Sequence, residues 1–245
     1  MTLKYPLSAL FVLMNASLCL AQQNNQQKNT TKESYSFNSD SLIYHIQTLS
    51  SDEFEGRRTA TEGAKKANNY ILAQLKAYHI LPLTDNYKQS FTFDARGKSF
   101  QGVNILGFIK GVDQPEEYIV ISAHYDHEGI KNNTIYNGAD DNASGVSALL
   151  AFAEFFSKNK PNHSIILAAF DAEELGLEGA KYFVNNSIIP LERIRLNINM
   201  DMISRNDKHQ LYVTGTVYND TLKSIISDVP TTNSIELLMG HDGQD

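Results

Sequence analysis

The sequence has a single cysteine, no tryptophan and no cluster of basic residues. The one cysteine, Cys19, excludes a disulfide framework within the chain, and its loss with a leader would exclude a thiol nucleophile or a thiolate ligand. Acidic residues number 28 against 21 lysines and arginines. An acidic chain without basic clusters argues against nucleic acid as a partner. The chemistry of the mature chain is therefore expected to rest on other side chains.

The first residues have the pattern of a signal peptide. Lys4 precedes an apolar stretch from Leu7 to Leu20, and Cys19-Leu20-Ala21 is a cleavage-site pattern before a polar tract. We expect cleavage after Ala21 and a secreted or periplasmic protein. The alternative is lipoprotein processing just before Cys19, which the preceding leucine disfavours. The stretch is too short to cross a bilayer, so no membrane span is expected.

Composition divides the chain into three parts. Residues 1–21 are predicted to be the signal peptide, and residues 22–38 are poor in apolar side chains and predicted to be a disordered leader. Residues 39–245 are long enough to bury one sizeable core and are predicted to form a single domain. The sequence makes no prediction of oligomeric state.

Patterning in the domain predicts an α/β fold. Apolar runs predict buried strands at 118–123, 165–170 and 194–200, and helical spacing or capping residues predict helices between and after them. Alternating residues predict an antiparallel pair at 89–94 and 102–109. Residues 51–58 are predicted to form a charged turn. The expected architecture is a three-layer sandwich with a mixed, mostly parallel central sheet and helices on both faces.

Each of the three apolar runs stops at residues that can bind a metal. His124 follows the first run, Asp171 to Glu174 follow the second, and Asp201 follows the third. The loop Asn137 to Gly145 adds Asp140 and Asp141. Carboxyl ends of neighbouring strands converge in open α/β sheets, so these side chains are expected to lie close together. Asp201 follows a run too apolar to lie at the surface, and a buried carboxylate needs a cation or a hydrogen-bond donor.

Each of these signals has an ordinary structural explanation when taken alone. The pair His124 and Asp126 could be a polar strand end, the adjacent aspartates a capped turn, and Glu173 with Glu174 a solvated helix start. Their occurrence together at strand ends favours a metal site. Asp126 lies two residues after His124 and is placed to accept the second ring N–H of a metal-bound imidazole.

Four segments resemble, in chain order, the motifs of the secreted co-catalytic dizinc aminopeptidases, which are Zn-dependent exopeptidases related to glutamate carboxypeptidase II and the transferrin receptor. A fifth segment, Leu49 to Arg57 followed by Thr61-Glu62-Gly63, resembles the amino-terminal part of bacterial members. The resemblance covers the chain from about Leu42 to its end. The four motif segments are residues 122–126, 138–145, 171–176 and 199–202.

The resemblance implies a role for each candidate residue. His124 and Asp201 would bind one Zn²⁺, Glu174 would bind a second, and Asp141 would bridge the two. Glu173 would be the general base for a zinc-bridging hydroxide that attacks a peptide substrate. The resemblance also implies a cis peptide bond after Asp141.

The resemblance further implies one more histidine ligand, in the carboxyl-terminal part of the domain. His209 and His241 are the only histidines late enough, and both are predicted to be surface residues. We therefore expect the chain to lack the carboxyl-terminal part of the domain. We also expect it to bind one zinc ion well and the second, held by Asp141 and Glu174 alone, poorly.

The leading functional prediction is a zinc metallopeptidase acting as an aminopeptidase. A carboxypeptidase specificity or a glutaminyl cyclase on the same scaffold remain alternatives, because specificity resides in loops. A different class of function is a catalytically silent binding domain without the final histidine. Glu173, whose evident use is proton transfer, argues against that class.

Overall fold

The computed structural model describes residues 37–229 and 235–240. The helices in these ranges are α1 (Ser39–Leu49), α2 (Glu62–Ala77), α3 (Gly145–Lys158), α4 (Glu178–Asn185) and α5 (Asp220–Ser227). The strands are β1 (Leu81–Pro82), β2 (Lys88–Ala95), β3 (Lys98–Ile109), β4 (Gln114–His124), β5 (Gly129–Lys131), β6 (Thr134–Tyr136), β7 (His163–Phe170), β8 (Ile194–Asn199), β9 (Gln210–Val213) and β10 (Glu236–Met239).

The predicted signal peptide and nearly all of the predicted leader lie outside the described residues. The leader boundary at residue 38 is two residues too late, because Phe37 and Asn38 belong to the fold. The Phe37 ring packs edge-on against Phe152 with 5.0 Å between the ring centroids. The side chain of Asn38 accepts hydrogen bonds from the first backbone N–H groups of α1, as an N-cap does. Among the described helices, none is long and apolar enough to cross a membrane.

The central sheet is mixed, as predicted. Its described strands lie in the order β1-β3-β7-β4-β8, and β2 also pairs with β3. Strands β7, β4 and β8 run parallel to one another. Strand β3 is antiparallel to β7, β1 and β2. Three of the six described strands thus form the parallel part, and the antiparallel part contains the predicted β2–β3 pair together with the two-residue strand β1.

The sheet has a core on each face, which confirms the three-layer arrangement. Along β4, Ile121 and Ala123 pack in the larger core with residues of α1, α2 and α3. Their neighbour Val120 packs in the smaller core on the opposite face, together with Phe183 of α4. This alternation follows from the two-residue period of a strand. The sheet is therefore held from both sides, with β4 and β7 in its middle.

Strand β8 differs from β4 and β7 because it is the edge strand of the described sheet. Its side chains alternate between half-buried and exposed in the first half and are exposed in the second. The expectation that Asp201 follows a buried strand is therefore wrong for the described residues. The side chain of Asp201 is 42% exposed. An apolar run predicts a strand, but it does not distinguish a central strand from an edge strand.

Candidate metal centre

The sheet register brings the three strand ends to one edge. His124 at the end of β4 is the register partner of Phe170 at the end of β7. On the other side of β4, Ser122 pairs with Asn199 of β8, and the next backbone N–H, that of Met200, donates to the Ser122 carbonyl. The residues that follow β7 and β8 therefore emerge beside His124, as the sequence predicted.

His124, Asp141 and Asp201 form a group whose donor atoms face one another. The Nε2 atom of His124 lies 3.3 Å from Asp141 Oδ1 and 3.3 Å from Asp201 Oδ1. All three donor atoms lie within 4.8 Å of one another. Two ligands of a tetrahedral zinc ion, each about 2.0–2.1 Å from the metal, are about 3.3 Å apart. One imidazole with two carboxylates at this spacing therefore fits zinc.

The contacts of His124 direct its Nε2 atom into this group. The other ring nitrogen, Nδ1, lies 3.1 Å from the backbone carbonyl of Asp126 and 3.6 Å from its carboxylate. Burial opposes a positive charge on the ring, but hydrogen bonds with Asp126, Asp141 and Asp201 together raise the pKa of His124 to about 12. Three acidic residues around one imidazole make a strongly negative site that favours a cation.

Asp126 does more than orient His124. Its fully buried carboxylate accepts the backbone N–H groups of Glu173 at 3.0 Å and Glu174 at 3.2 Å. The sequence predicted a contact with the His124 ring, but the shorter contact to that ring comes from the Asp126 carbonyl. Asp126 therefore connects the end of β4 to the two glutamates that follow β7.

Glu173 lies beside the zinc-fitting group. It lines a cavity of about 270 Å³ whose wall also includes His124 and Asp201. Burial raises the pKa of Glu173, the charge of His124 opposes this rise, and the charges of Asp126, Asp201 and Glu174 add to it. A raised pKa makes this carboxylate a better proton acceptor.

The loop before α3 aims its two aspartates in different directions. The peptide bond between Asp141 and Asn142 is cis, as the resemblance implied. Asp140 accepts the backbone N–H of Ser204 at 3.0 Å and its hydroxyl at 2.7 Å, whereas Asp141 faces the histidines. The buried Asn142 side chain donates to the Met200 carbonyl at 3.0 Å. The loop is thus tied to the segment that carries Asp201.

Arg57 is a structural residue of the site that sequence reasoning missed. The predicted charged turn places this arginine in the interior, 1% exposed. Its guanidinium donates to five backbone carbonyls, on both sides of the site. Burial lowers its pKa to about 10, while Asp126 and Asp141 favour its charge. The five carbonyls are those of Leu49, Tyr125, Asn137, Gly138 and Asp141.

Thr59, which was also not singled out from the sequence, lies between two buried carboxylates. Its hydroxyl is 2.9 Å from Asp171 and 3.2 Å from Asp126. Burial and the nearby Asp126 charge raise the pKa of Asp171 to about 6. Asp171 also accepts the backbone N–H of Val103 at 3.0 Å. Thr59 therefore connects Asp126, which holds the backbone of the two glutamates, to Asp171, which follows β7.

A second group of donor atoms includes a histidine that received no role from the sequence. His127 Nδ1 lies 2.8 Å from Glu174 Oε1 and 3.6 Å from Asp141 Oδ2. The donor atoms of His127, Asp141 and Glu174 lie within 4.8 Å of one another. Asp141 thus presents one oxygen to each group, an arrangement compatible with the bridging role that the resemblance implied.

The late histidines add nothing to either group in the described residues. His209 is exposed, as predicted, and belongs to neither set of donors. His241 lies outside the described residues. The sequence signal that points to His127 is only its position three residues after His124, and no strand or helix period identifies it as a ligand.

The part of the chain that contains these residues is similar to known proteins. Residues 104–238 match peptidase family M28. A probable zinc metalloprotease of Pyrenophora tritici-repentis is 30% identical over 136 residues, which are 50% of this chain and 31% of that protein. The chain therefore spans about a third of the length of that curated relative.

Two solved structures have a similar fold. A Zn-dependent exopeptidase from Parabacteroides distasonis aligns with a TM-score of 0.66 and 22% identity, over 79% of this chain and 70% of that chain. A glutaminyl cyclase from Porphyromonas gingivalis aligns with a TM-score of 0.67 and 20% identity, over 78% of this chain and 70% of that chain. At these identities the likeness concerns the fold. With more than half of its residues matched by the family, the chain belongs to peptidase family M28.

Proposed function

We propose that this chain carries the zinc site of an aminopeptidase, an exopeptidase that removes amino-terminal residues from peptides. The observation that carries the proposal is that Glu173 lines a cavity of about 270 Å³ together with His124 and Asp201, two of the three members of the zinc-fitting group. A proton-transferring carboxylate next to a zinc-fitting set of ligands is the arrangement that metal-assisted hydrolysis needs.

His124, Asp141 and Asp201 would hold the zinc ion. Zinc supplies Lewis acidity, which polarises a carbonyl and lowers the pKa of water. The ring of His124 is 4% exposed and is fixed through Nδ1, so its Nε2 atom is held in place for a metal. A donor set prepared in this way favours metal binding without a large rearrangement.

Glu173 would act as the general base. Its raised pKa brings proton uptake closer to neutral pH, so it can take a proton from the attacking water and return it to the leaving amine. Asp126 holds the backbone of Glu173 through its N–H group. A buried carboxylate therefore fixes the backbone from which the side chain of Glu173 extends.

The charge of the cavity favours an amino terminus over a carboxyl terminus. Asp171, Glu173 and Asp201 are part of its described lining, which includes no lysine or arginine. Carboxylates attract the ammonium group of a peptide amino terminus, whereas a terminal carboxylate would need a cationic partner. This supports an aminopeptidase over a carboxypeptidase.

We also propose that the protein acts outside the cytoplasm. The proposal is supported by the signal-peptide pattern of residues 1–21. Fractionation of the native host, followed by amino-terminal sequencing of the exported protein, tests it. Cleavage after Ala21 is the expected result, and a protein that keeps its amino terminus in the cytoplasm would contradict the proposal.

Turnover by the variant Glu173→Gln tests the enzymatic proposal. The amide keeps the size of the side chain but cannot accept the proton, so hydrolysis of aminoacyl-amides should fall by roughly 10²–10⁴-fold. Zinc content should stay at the wild-type level, because Glu173 belongs to neither donor group. The measurement is hydrolysis rate together with zinc per chain for both proteins.

Glu178→Gln is the matched control, because Glu178 begins α4, pairs with Lys181 and is not part of the described lining of the cavity. Its turnover should equal that of the wild type. Unchanged hydrolysis by Glu173→Gln would contradict the role of Glu173 as the general base. A zinc-loaded wild type that hydrolyses no peptide or amide would instead favour a silent binding domain.

A glutaminyl cyclase is the second candidate, because the fold resembles that of the Porphyromonas gingivalis enzyme. The two activities differ in substrate and product. Release of a free amino acid from aminoacyl-amides supports the aminopeptidase. Loss of ammonia from peptides that begin with glutamine, without release of an amino acid, would replace it by the cyclase.

A further inference from the structure

We propose that Asn197 and Asn199 bind the peptide backbone of the substrate, through hydrogen bonds from their side-chain amides to the carbonyl group that follows the scissile one. The inference rests on the proposed aminopeptidase function and names the part of the substrate that these two residues recognise. It predicts that the cavity distinguishes a peptide with a second carbonyl group from a single aminoacyl-amide.

The two asparagines lie on the side of β8 that faces the cavity. In the register of the sheet, Asn197 pairs with Val120 and Asn199 pairs with Ser122 of β4. Both side chains belong to the described lining of the cavity of about 270 Å³ that also contains Glu173. They are two residues apart on a strand, so their Cα atoms are about 6–7 Å apart. The pair therefore forms part of the wall of the cavity in which the proposed general base lies.

A buried hydroxyl group orients both amides. The Oγ atom of Ser122, which is fully buried, lies 2.9 Å from Oδ1 of Asn199 and 3.1 Å from Oδ1 of Asn197. A hydroxyl has one hydrogen to donate, so the two oxygens share it. Within the described residues, neither amide nitrogen donates a hydrogen bond. Because each amide oxygen is held by the hydroxyl, the NH₂ groups of both asparagines are left to donate to a ligand.

Solvent exposure alone does not explain why these two residues are polar. Along the second half of β8, Leu196 and Ile198 lie on one side of the strand and the two asparagines on the other. Ile198 is 40% exposed, so this strand has an apolar residue at an accessible position. The amides lie on the side that borders the cavity, next to a buried serine that contacts both.

The two amides supply the side-chain donors that a peptide carbonyl needs in this cavity. When ionised, Asp171, Glu173 and Asp201 only accept hydrogen bonds, and they are the acids of the described lining. The Ser122 hydroxyl is used by the asparagines, and the His124 ring is directed at carboxylates. A buried carbonyl without a donor is costly. In an aminopeptidase substrate the scissile carbonyl is the first of the chain, so a carbonyl held by the amides belongs to the following residue.

The test compares two ligands on the zinc-loaded Glu173→Gln protein, in which turnover is blocked. Leucinamide has one carbonyl group, and leucyl-glycinamide has two. The protein should bind leucyl-glycinamide roughly 3–10-fold more tightly, which is the gain expected from one or two hydrogen bonds. When Asn197→Leu and Asn199→Leu are added, the two ligands should bind with equal affinity, because leucine has a similar volume and no donor. Calorimetric titration measures both affinities.

Asn185→Leu is the matched control, because Asn185 is an exposed asparagine at the end of α4 and is not part of the described lining. It should keep the affinity ratio of the two ligands. Zinc content should be the same in all of these proteins, because neither Asn197 nor Asn199 belongs to a donor group.

A spectroscopic readout needs no change on β8 and therefore tests the inference even where the double variant does not fold. In isotope-labelled Glu173→Gln protein, the side-chain NH₂ resonances of Asn197 and Asn199 should shift with leucyl-glycinamide and stay in place with leucinamide. Resonances that ignore both ligands would overturn the inference, and so would an affinity ratio that the double variant leaves unchanged. Neither result touches the general base. If the zinc-loaded protein bound neither ligand and the wild type hydrolysed no aminoacyl-amide, the proposed function itself would be contradicted.

Discussion

The two ends of the first metal group differ in how firmly the protein holds them. His124 ends the central strand β4 and has a side chain that is 4% exposed, whereas Asp201 follows β8, the edge strand of the described sheet, and is 42% exposed. The same ion would therefore join a buried ligand to an open one. The positions of the metal ligands are therefore set mainly from the β4 and β7 side.

A buried network of hydrogen bonds holds the residues at the β4 and β7 side of the site in place. Arg57 holds the backbone beyond β4 and the loop before α3, Asp126 holds both glutamates, and Thr59 joins Asp126 to Asp171. On the β8 side, Asn142 donates to the Met200 carbonyl and accepts the N–H of Met202 at 3.3 Å, and Asp140 accepts the N–H and the hydroxyl of Ser204. Variants on the two sides should thus differ in their effect on stability.

The largest effect is expected when Arg57 is replaced. Arg57→Met keeps much of the volume but leaves five buried or half-buried carbonyls without their donor, so the free energy of unfolding should fall by about 3–5 kcal/mol. Urea unfolding measures it. Arg58→Met is the matched control, because Arg58 is about one third exposed and should change stability by less than about 1 kcal/mol. Equal losses of unfolding free energy in Arg57→Met and Arg58→Met would contradict the idea that Arg57 holds this side of the site.

Gly145→Ala tests the connection between the two sides. A Cβ atom at this position would lie 2.3 Å from the Met200 carbonyl oxygen, so the loop and the segment after β8 would have to separate. Overpacking of this kind costs about 1–3 kcal/mol, although alanine is otherwise the better helix former. Zinc affinity of the first group should fall as well. Unchanged unfolding and zinc binding would show that the two segments move apart freely.

A smaller effect is expected for Thr59→Val. Both carboxylates that contact the hydroxyl keep other donors, so the loss should be about 0.5–1.5 kcal/mol in urea unfolding. Thr59→Ser, which keeps the hydroxyl, should recover most of the difference. As a control, Thr92→Val alters an exposed residue of β2 and should leave stability nearly unchanged. A Thr59→Val variant as stable as the wild type would remove Thr59 from the network.

Asp201→Asn should have the smallest effect on stability and a large one on metal binding. The side chain is exposed, so the metal-free variant should unfold within about 0.5 kcal/mol of the wild type. The first zinc site, in contrast, should be lost, because an amide is a poor substitute for an anionic ligand. Urea unfolding and zinc titration of the same protein separate the two effects. Wild-type zinc affinity in Asp201→Asn would show that Asp201 is not a zinc ligand.

The sequence predicts the strand ends well and the supporting residues poorly. Buried strands have a strong apolar signal, so the residue after each run could be placed at the same edge of the sheet, and the structure brings His124, Asp141 and Asp201 together. The roles of Glu173 and Asp126 came from the resemblance and from spacing. Those roles stay predictions, although the positions of both residues are compatible with them.

What the sequence did not reveal depends on the path of irregular backbone. Arg57 lies in a charged segment that is typical of a surface turn, yet positive φ angles at Glu55, Gly56 and Arg57 carry it inward. His127 lies beside Asp141 because the loop that carries Gly138 packs against its ring. Neither contact follows from a helix or strand periodicity in the sequence. The exposure of β8 was missed because apolar runs do not identify an edge.

Anomalous diffraction at the zinc absorption edge, from crystals of the zinc-loaded chain, would locate the metal of the first group. The expected result is a zinc ion bound to Nε2 of His124 and to the carboxylates of Asp141 and Asp201, with Glu173 facing the same cavity. Zinc bound elsewhere, with these three side chains free of metal at saturating zinc, would contradict it.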